Sequence, residues 1–155
     1  YGPALLAAPV SSWGKQRQVW FPPGEWIDIA TGDSFTGPRV TRVPAPIEKL
    51  PLYARSGAVI PLALDPRADD LALLLVIGDD PRQTSLQLLD GTALTFTPLA
   101  AGEGRLQVTG PARRCRLQIP FMRSVAARLE ATELPLQEDG AAFAGPATIA
   151  LGWTR

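Results

Sequence analysis

Histidine is absent from the 155 residues of this chain, and cysteine occurs once, at Cys115. Histidine is the commonest general base and the commonest metal ligand, so its absence argues against triad chemistry and against most metal-assisted chemistry. One cysteine can neither close a disulfide within the chain nor supply a zinc cluster. Charged residues make up only 19% and are balanced, with 15 basic and 15 acidic side chains. Neither nucleic acid nor a membrane is therefore expected as a partner, and no cofactor is implied.

Long apolar runs are also missing. The longest uninterrupted one extends from Leu71 to Ile77 and is far too short to cross a membrane. The first ten residues are apolar, but they lack a basic segment and contain two prolines, so no signal peptide is predicted. The chain begins at Tyr1 and not at methionine, which indicates a piece of a longer polypeptide. The compartment stays open, although the lack of disulfides favours the cytoplasm.

Proline and glycine, by contrast, are abundant, with 16 and 14 residues. They interrupt the sequence so often that few helices of ordinary length fit between them. Short alternating or apolar segments separated by turns are typical of an all-β sandwich or barrel. We therefore expect an all-β chain of two small antiparallel sandwich-like units with little helix. The predicted strands are 4–8, 18–21, 26–29, 39–43, 52–55, 58–60, 71–77, 85–89, 93–97, 105–109, 114–119 and 148–151.

Two segments shape this organisation. Residues 62–71 carry Pro66 and a charge cluster between an aromatic-rich first half and a leucine-rich second half, which predicts one unit at 1–65 and another at 70–155. Residues 121–134 are ambiguous, because Phe121, Val125 and Leu129 recur at helical spacing. Alternate residues of the same stretch also fit a strand, and a strand is favoured because strand patterns lie on both sides.

Residues that carry chemistry in other proteins have structural explanations here. Most acidic residues stand beside glycine or proline, where aspartate is favoured by turns, so no catalytic pair is assigned. Asp79 and Asp80 are the strongest metal candidates, since calcium prefers several oxygen ligands, but a hairpin turn is the favoured reading and no metal residue is assigned. Cys115 lies among arginines that would favour a thiolate. An inward-facing strand position is preferred for it, because there is no histidine to pair with the thiol.

Large aromatic side chains suggest a sugar-binding surface or a core. They are Trp13, Trp20, Phe21, Trp26 and Tyr53. Trp20 and Phe21 are adjacent in a predicted strand, so they must point to opposite faces, and at least one ring must face outward or towards a neighbouring domain. Burial in a core or against a partner domain is the default for large aromatics. Gly24, Gly32 and Gly57 are interpreted as turn glycines and not as a phosphate-binding loop.

The segment up to residue 62 resembles the region that follows the catalytic barrel in glycoside hydrolase family 31, the α-glucosidase and α-xylosidase family. In the opening strand the matches are Gly2, Leu5, Leu6, Ala8, Pro9 and Val10. In the next strand and its turns they are Arg17, Trp20, Pro22, Gly24, Trp26, Asp28, Thr31, Gly32 and Asp33. In the closing element they are Ala45, Pro46, Pro51, Arg55, Gly57, Ile60 and Pro61. Gly37 and Pro38 stand where the family usually has two glycines.

Beyond residue 70 the resemblance is thinner. Leu86, Asp90 and Gly91 are similar to an acidic motif of the family, but Gln87, Leu88 and Leu89 replace its polar centre. The resemblance implies that this half is a second β-sandwich. It also implies retaining α-glycosidase activity by two aspartates of a (β/α)8 barrel, a fold of about 250 residues that this chain is too short to form. Both aspartates would then precede Tyr1, and no catalytic residue is expected in the chain.

These features lead to a non-catalytic C-terminal β-domain fragment that braces the barrel of the same parent chain. Trp13, Trp20 and Tyr53 are the expected residues of the barrel-facing surface. The alternative is a carbohydrate-binding β-sandwich module that holds an oligosaccharide through surface tryptophans. A third hypothesis is a small hydrolase that uses two of the chain's own carboxylates. Whether the parent cleaves glucosides, xylosides or galactosides is not encoded in this segment.

Overall fold

A computed structural model describes residues 3–9, 15–48, 50–62, 70–130, 132–135 and 140–154. These residues form strands and turns and contain no helix, so the prediction of an all-β chain is confirmed. In chain order the strands are β1 (Leu5–Ala7), β2 (Gln16–Asp28), β3 (Ser34–Pro44), β4 (Leu52–Arg55), β5 (Ala58–Leu62), β6 (Leu71–Val76), β7 (Thr84–Gln87), β8 (Ala93–Ala100), β9 (Glu103–Gln118), β10 (Ser124–Leu129), β11 (Thr132–Leu134) and β12 (Ala141–Thr154).

The small sheet has the strand order β1-β4-β2-β3 and is antiparallel throughout. Strands β2 and β3 form a long hairpin, the β2–β3 ribbon, which pairs from Gln16 with Pro44 to Ile27 with Ser34. The pairing shifts between Phe21 and Gly24, where two prolines interrupt β2. At this bulge a Cβ atom on Gly37 would lie 2.1 Å from the Pro22 carbonyl oxygen, so only glycine permits the two strands to approach so closely.

A stack of rings fills the small sheet's own core. Phe21 and Phe35 lie parallel with centroids 4.8 Å apart, and the Tyr53 ring meets Phe21 edge-on at 4.9 Å. Both arrangements are favoured by the charge distribution of aromatic rings. Phe21 and Tyr53 are fully buried, at 0% and 1% exposure. The alternation of buried Val19 and Phe21 with exposed Gln18 and Trp20 is the period of two that predicted this strand.

The large sheet has the strand order β11-β10-β12-β9-β6-β5, and β8 joins it through β9 with β7 on its outer side. The first half of β9 pairs with β8 and its second half pairs with β6, so the long strand connects two parts of the large sheet. The β6–β9 pair is parallel, which differs from the purely antiparallel pairing expected. The core of the large sheet consists mainly of leucine, isoleucine and phenylalanine side chains, including Leu73, Leu75, Leu94, Phe96, Leu106, Leu117 and Ile149.

The ambiguous segment forms strands β10 and β11, so the preference for a strand is confirmed. Ala127 pairs with Leu151 of β12 and Leu129 pairs with Ile149, which places the segment in the large sheet. Phe121, just before β10, has a positive φ of 66°. A Cβ atom on Gly32 would lie 2.7 Å from the Phe121 ring, so the turn of the β2–β3 ribbon packs directly against the large sheet's side of the molecule.

The division into units at 1–65 and 70–155 stays a prediction, and residues 63–69 lie outside the described residues. Strand β5 is relevant to this division. It precedes residues 63–69 in sequence, but it pairs with β6 in the large sheet. An apolar cluster, which we call the junction, combines side chains of both sheets. Its members are Ile27, Ala54, Ala58, Ile60 and Val76. The two sheets therefore share a core.

Hydrogen bonds surround this junction. The buried Glu25 side chain accepts a hydrogen bond from the Asp80 amide at 2.9 Å, and the Ser56 hydroxyl accepts one from the Gly78 amide at 2.8 Å. The Thr84 hydroxyl donates to the Gly57 carbonyl oxygen at 2.5 Å. Because these bonds join β2 and the turn after β4 with the residues after β6, they fix the position of one sheet relative to the other.

Gly78→Ala tests this contact. A Cβ atom there would lie 2.1 Å from Oε2 of Glu25, so the side chain that bonds to Asp80 would have to move. We expect the free energy of unfolding to fall by about 1–3 kcal/mol, as overpacked sites do. In the matched control, Gly152→Ala, the nearest atom to the new Cβ is 3.9 Å away. Equal losses in urea unfolding of the two variants would contradict the proposed role of Gly78.

Candidate functional surface

The two adjacent carboxylates Asp79 and Asp80 follow β6 at the edge of the junction. Asp80 accepts hydrogen bonds from Nη2 and Nε of Arg82 at 2.8 and 3.2 Å, while its amide bonds to Glu25. In the described part of the chain no three histidine, cysteine or acidic side chains gather at a possible metal position. The observed contacts give Asp80 a role in the turn that connects the two sheets.

Asp90, of the segment similar to the family's acidic motif, lies in the turn after β7. Its Oδ1 accepts a hydrogen bond from the Thr92 amide at 2.8 Å, and Oδ2 is in contact with Nη2 of Arg113. The Thr92 amide, with a smaller contribution from Arg113, lowers the pKa of Asp90. Gly91 has a φ of 87°, as expected for glycine in such a turn. Asp90 thus stabilises a turn and links it to β9.

Cys115 lies inward on β9 opposite Phe143 and is 2% exposed. Burial raises the pKa of its thiol, although the Arg113 charge opposes the shift. A thiol that is buried and neutral is a poor nucleophile. Its neighbour Arg114 is exposed, as the alternation of the strand predicts. The interpretation of Cys115 as a core residue is confirmed.

The aromatic residues separate into core and surface. Phe21, Trp26 and Tyr53 are buried, whereas Trp20 is 56% exposed. The expectation that Tyr53 contributes to an outer surface is therefore wrong: β4 is an interior strand of the small sheet, and Tyr53 points into its ring stack. Trp13 lies outside the described residues. The Trp26 indole donates a hydrogen bond to the Pro22 carbonyl oxygen at 3.0 Å, which stabilises the bulge.

The outer face of the β2–β3 ribbon carries the most exposed aromatic side chain described. Trp20 pairs with Val40, also 56% exposed, and the next outward pair is Gln18 with Arg42. We call these four residues the Trp20 face. Because alternate residues of a strand share a face, their side chains stand side by side on the surface. The face combines an apolar centre with amide and guanidinium groups.

A cleft of about 440 Å³ lies where β1, β5 and the beginning of β7 meet. Its walls are mostly apolar, with Leu5, Ile60 and Leu86 among them, and Arg55 and Arg82 also line it. Sequence reasoning missed this cleft, since its walls come from segments up to 83 residues apart and no local motif marks it. Arg82 forms an ion pair with Asp80, and Arg55 donates a hydrogen bond to the Pro23 carbonyl oxygen at 3.0 Å.

No helix in the described residues is long and apolar enough to cross a membrane.

Comparison with known proteins identifies the N-terminal part of the chain. Residues 1–60 match the family described as "Glycosyl hydrolase family 31 C-terminal domain". An α-xylosidase of Saccharolobus solfataricus is 38% identical over 64 residues, which are 40% of this chain and 9% of that protein. An α-glucosidase 2 of Bacillus thermoamyloliquefaciens is 31% identical over 96 residues, 61% of this chain and 11% of that protein.

Solved structures extend the likeness to nearly the whole chain. The family 31 α-xylosidase of Xanthomonas citri is 27% identical, with a TM-score of 0.62, and the match covers 93% of this chain and 19% of that one. The family 31 dextranase of Flavobacterium johnsoniae, solved with glucose, has a TM-score of 0.72 at 17% identity, covering 99% of this chain and 26% of that one. At this identity the likeness to the dextranase shows the fold alone.

Residues 1–60 therefore match the C-terminal domain of glycoside hydrolase family 31, and the likeness to the Xanthomonas citri α-xylosidase covers 93% of the chain. The chain spans about a tenth of the length of the curated relatives cited above and about a fifth to a quarter of the matched structures. The resemblance deduced from the residue pattern is therefore confirmed.

The buried Tyr53 makes stability dependent on alkaline pH. Burial, reinforced by the charge of Asp28, raises the pKa of its phenol from 10.0 to about 12. The folded state then favours the neutral phenol, so its contribution to stability is complete below pH 10 and is lost as the pH rises towards 12. Between pH 10 and 12 we expect the free energy of unfolding of Tyr53→Phe to fall less than that of the unsubstituted chain, as measured by urea unfolding at several pH values. Parallel losses in both proteins would show that Tyr53 is not the group responsible.

Proposed function

We propose that this chain is a non-catalytic C-terminal fragment of an α-glycosidase and that it braces the catalytic barrel of the same polypeptide. The observation that carries the proposal is the architecture: a family 31 C-terminal region whose described residues form β-sheets and no helix. The (β/α)8 barrel of such an enzyme needs about 250 residues of alternating strand and helix. Catalysis is therefore assigned to a part of the parent polypeptide other than this chain.

The contacts made by the acidic side chains support this assignment. Retaining glycosidases need two carboxyl groups about 5–5.5 Å apart across the substrate. Among the described acidic residues, Asp80 bonds to Arg82, Asp90 bonds to Thr92 and Arg113, and Glu133 pairs with Arg128 at 3.0 Å. Glu25 is buried in the contact between the sheets. These carboxylates are engaged in structural contacts within the chain.

A bracing role requires a surface that another domain can cover. The Trp20 face offers one, because Trp20 and Val40 place two large apolar side chains next to each other on the outside of the small sheet. Single exposed apolar residues are ordinary, but an exposed tryptophan paired with an exposed valine is typical of a contact surface. The parent's hydrolysis of O-glycosyl bonds would then depend on this chain through stability and not through chemistry.

Trp20→Ser provides the test in both contexts. In the isolated chain Trp20 is exposed, so the unfolding temperature should hardly change. In the full-length parent enzyme the substitution should lower the temperature of half-inactivation, because the contact energy of a buried interface tryptophan is lost. Leu89→Ser is the matched control, since Leu89 is fully exposed in a turn outside the face. An unchanged half-inactivation temperature for Trp20→Ser would refute the bracing role of this face.

A carbohydrate-binding module is the second candidate, and the exposure of Trp20 is the observation that favours it. A flat indole beside Gln18 and Arg42 would suit the apolar face and the hydroxyl groups of a sugar. Titration of the isolated chain with glucans or xyloglucan separates the candidates. Quenching of tryptophan fluorescence that disappears in Trp20→Ser would support the module, whereas the bracing proposal expects no binding. Turnover of nitrophenyl glycosides by the isolated chain, abolished by one aspartate substitution, would instead indicate a small hydrolase.

A further inference from the structure

The Trp20 face has one charged side chain, that of Arg42. The acidic residues of the ribbon, Glu25 and Asp28, are both buried. Arg42 is exposed, and among the described residues it forms no ion pair. The face therefore presents one uncompensated positive charge beside its apolar centre.

The composition of the Trp20 face is that of an interface centre. Tryptophan and arginine are the residues that most often carry binding energy at protein interfaces, and acidic residues are depleted there. Trp20 and Val40 are direct partners across the ribbon, and Arg42 stands two residues along β3 on the same face. Paired Cβ atoms of neighbouring strands lie about 4.5–5.5 Å apart, so one partner surface can contact all of these side chains together.

The geometry favours contact through the face and not through the edge of the sheet. Strand β3 is the outermost strand of the small sheet, but it contains Pro38 and Pro44, which have no amide hydrogen to donate. An added strand would lose hydrogen bonds at these positions. A partner that uses the apolar side chains of Trp20 and Val40 must then lie flat on the ribbon.

Charge complementarity selects among possible occupants. A second copy of the chain docked face to face would bring Arg42 close to the Arg42 of its partner, and like charges at an interface are unfavourable. A neutral glucan gains nothing from the positive charge. An apolar protein surface bordered by acidic side chains satisfies both Trp20 and the Arg42 guanidinium, with charge-assisted hydrogen bonds at the border.

We propose that the Trp20 face docks on an apolar surface of the parent's catalytic part that is bordered by aspartate and glutamate side chains, with Arg42 as the principal cationic contact. This inference rests on the proposed bracing function and adds the chemistry of the partner surface. Attraction between Arg42 and acidic groups at the solvent-exposed border weakens with salt, since the Debye length falls from about 10 Å at 0.1 M to about 3 Å at 1 M ionic strength.

Zero-length cross-linking of the full-length parent enzyme tests the proposal. Arg42→Lys introduces a primary amine, which a water-soluble carbodiimide joins to a carboxylate only when the two are in contact. Mass spectrometry should identify a cross-link from position 42 to an aspartate or glutamate of the catalytic part. Arg114→Lys is the matched control, because Arg114 is an exposed arginine of β9 outside the face. It should give no cross-link to the catalytic part.

Charge reversal gives an independent measurement. Arg42→Glu should lower the half-inactivation temperature of the parent enzyme at low salt, and the difference from the unmodified enzyme should shrink to less than half at 1 M salt. Arg114→Glu should leave that temperature unchanged at both. Loss of the cross-link, or an Arg42→Glu effect that does not depend on salt, would overturn the acidic-border inference. A cross-link to a second copy of the chain would overturn it as well.

Footprinting of Trp20 by a photoactivated carbene separates this inference from the bracing function. If the Trp20 peptide is labelled several-fold less in the parent enzyme than in the isolated chain, while position 42 gives no cross-link, the bracing function holds and the acidic border fails. If labelling is equal in both, the face is not covered and both proposals fail. Binding of a glucan that protects Trp20 in the isolated chain would overturn the choice of a protein partner.

Discussion

The contact between the buried Glu25 side chain and the backbone after β6 is the constraint on which the arrangement of the two sheets depends. Glu25 belongs to the small sheet and the Asp80 amide to the segment that leaves the large one. The bond is possible because Gly78 has no side chain at the position that the carboxylate occupies. Around it the junction buries Ile27, Ala54 and Val76, so an apolar contact and a buried polar contact fix the same geometry.

The two sheets also make a second contact, away from the junction. There the Phe121 ring packs against Gly32 in the turn of the β2–β3 ribbon. The inner side of the ribbon is filled by Phe21, Phe35 and Tyr53, which leaves Trp20 and Val40 on the outer side. The face proposed for docking is thus exposed because the opposite face of the same strands is committed to the core. A rigid support behind a contact surface suits a bracing element.

Local alternation in the sequence was sufficient to predict the all-β class and most strands, since a period of two is visible in any window of a few residues. It also placed Cys115 in the core. Local alternation was insufficient where contacts between segments distant in sequence determine the structure. The β2–β3 ribbon continues past two prolines because Gly37 allows a bulge. The parallel β6–β9 pair and the burial of Tyr53 depend on which strands become neighbours. The role of Glu25 required Gly78, 53 residues later, and no motif joins them.

The pairing of β5 with β6 matters for anyone who wishes to produce the small sheet alone. The family match ends at residue 60, within β5, yet the backbone partner of β5 and part of its apolar cover come from β6. A truncation at that limit would leave Val59 and Ile60 beside an open strand edge, which is a template for aggregation. The sequence limits of the family and the limits of a stable expression product are therefore different, and a useful boundary lies beyond β6.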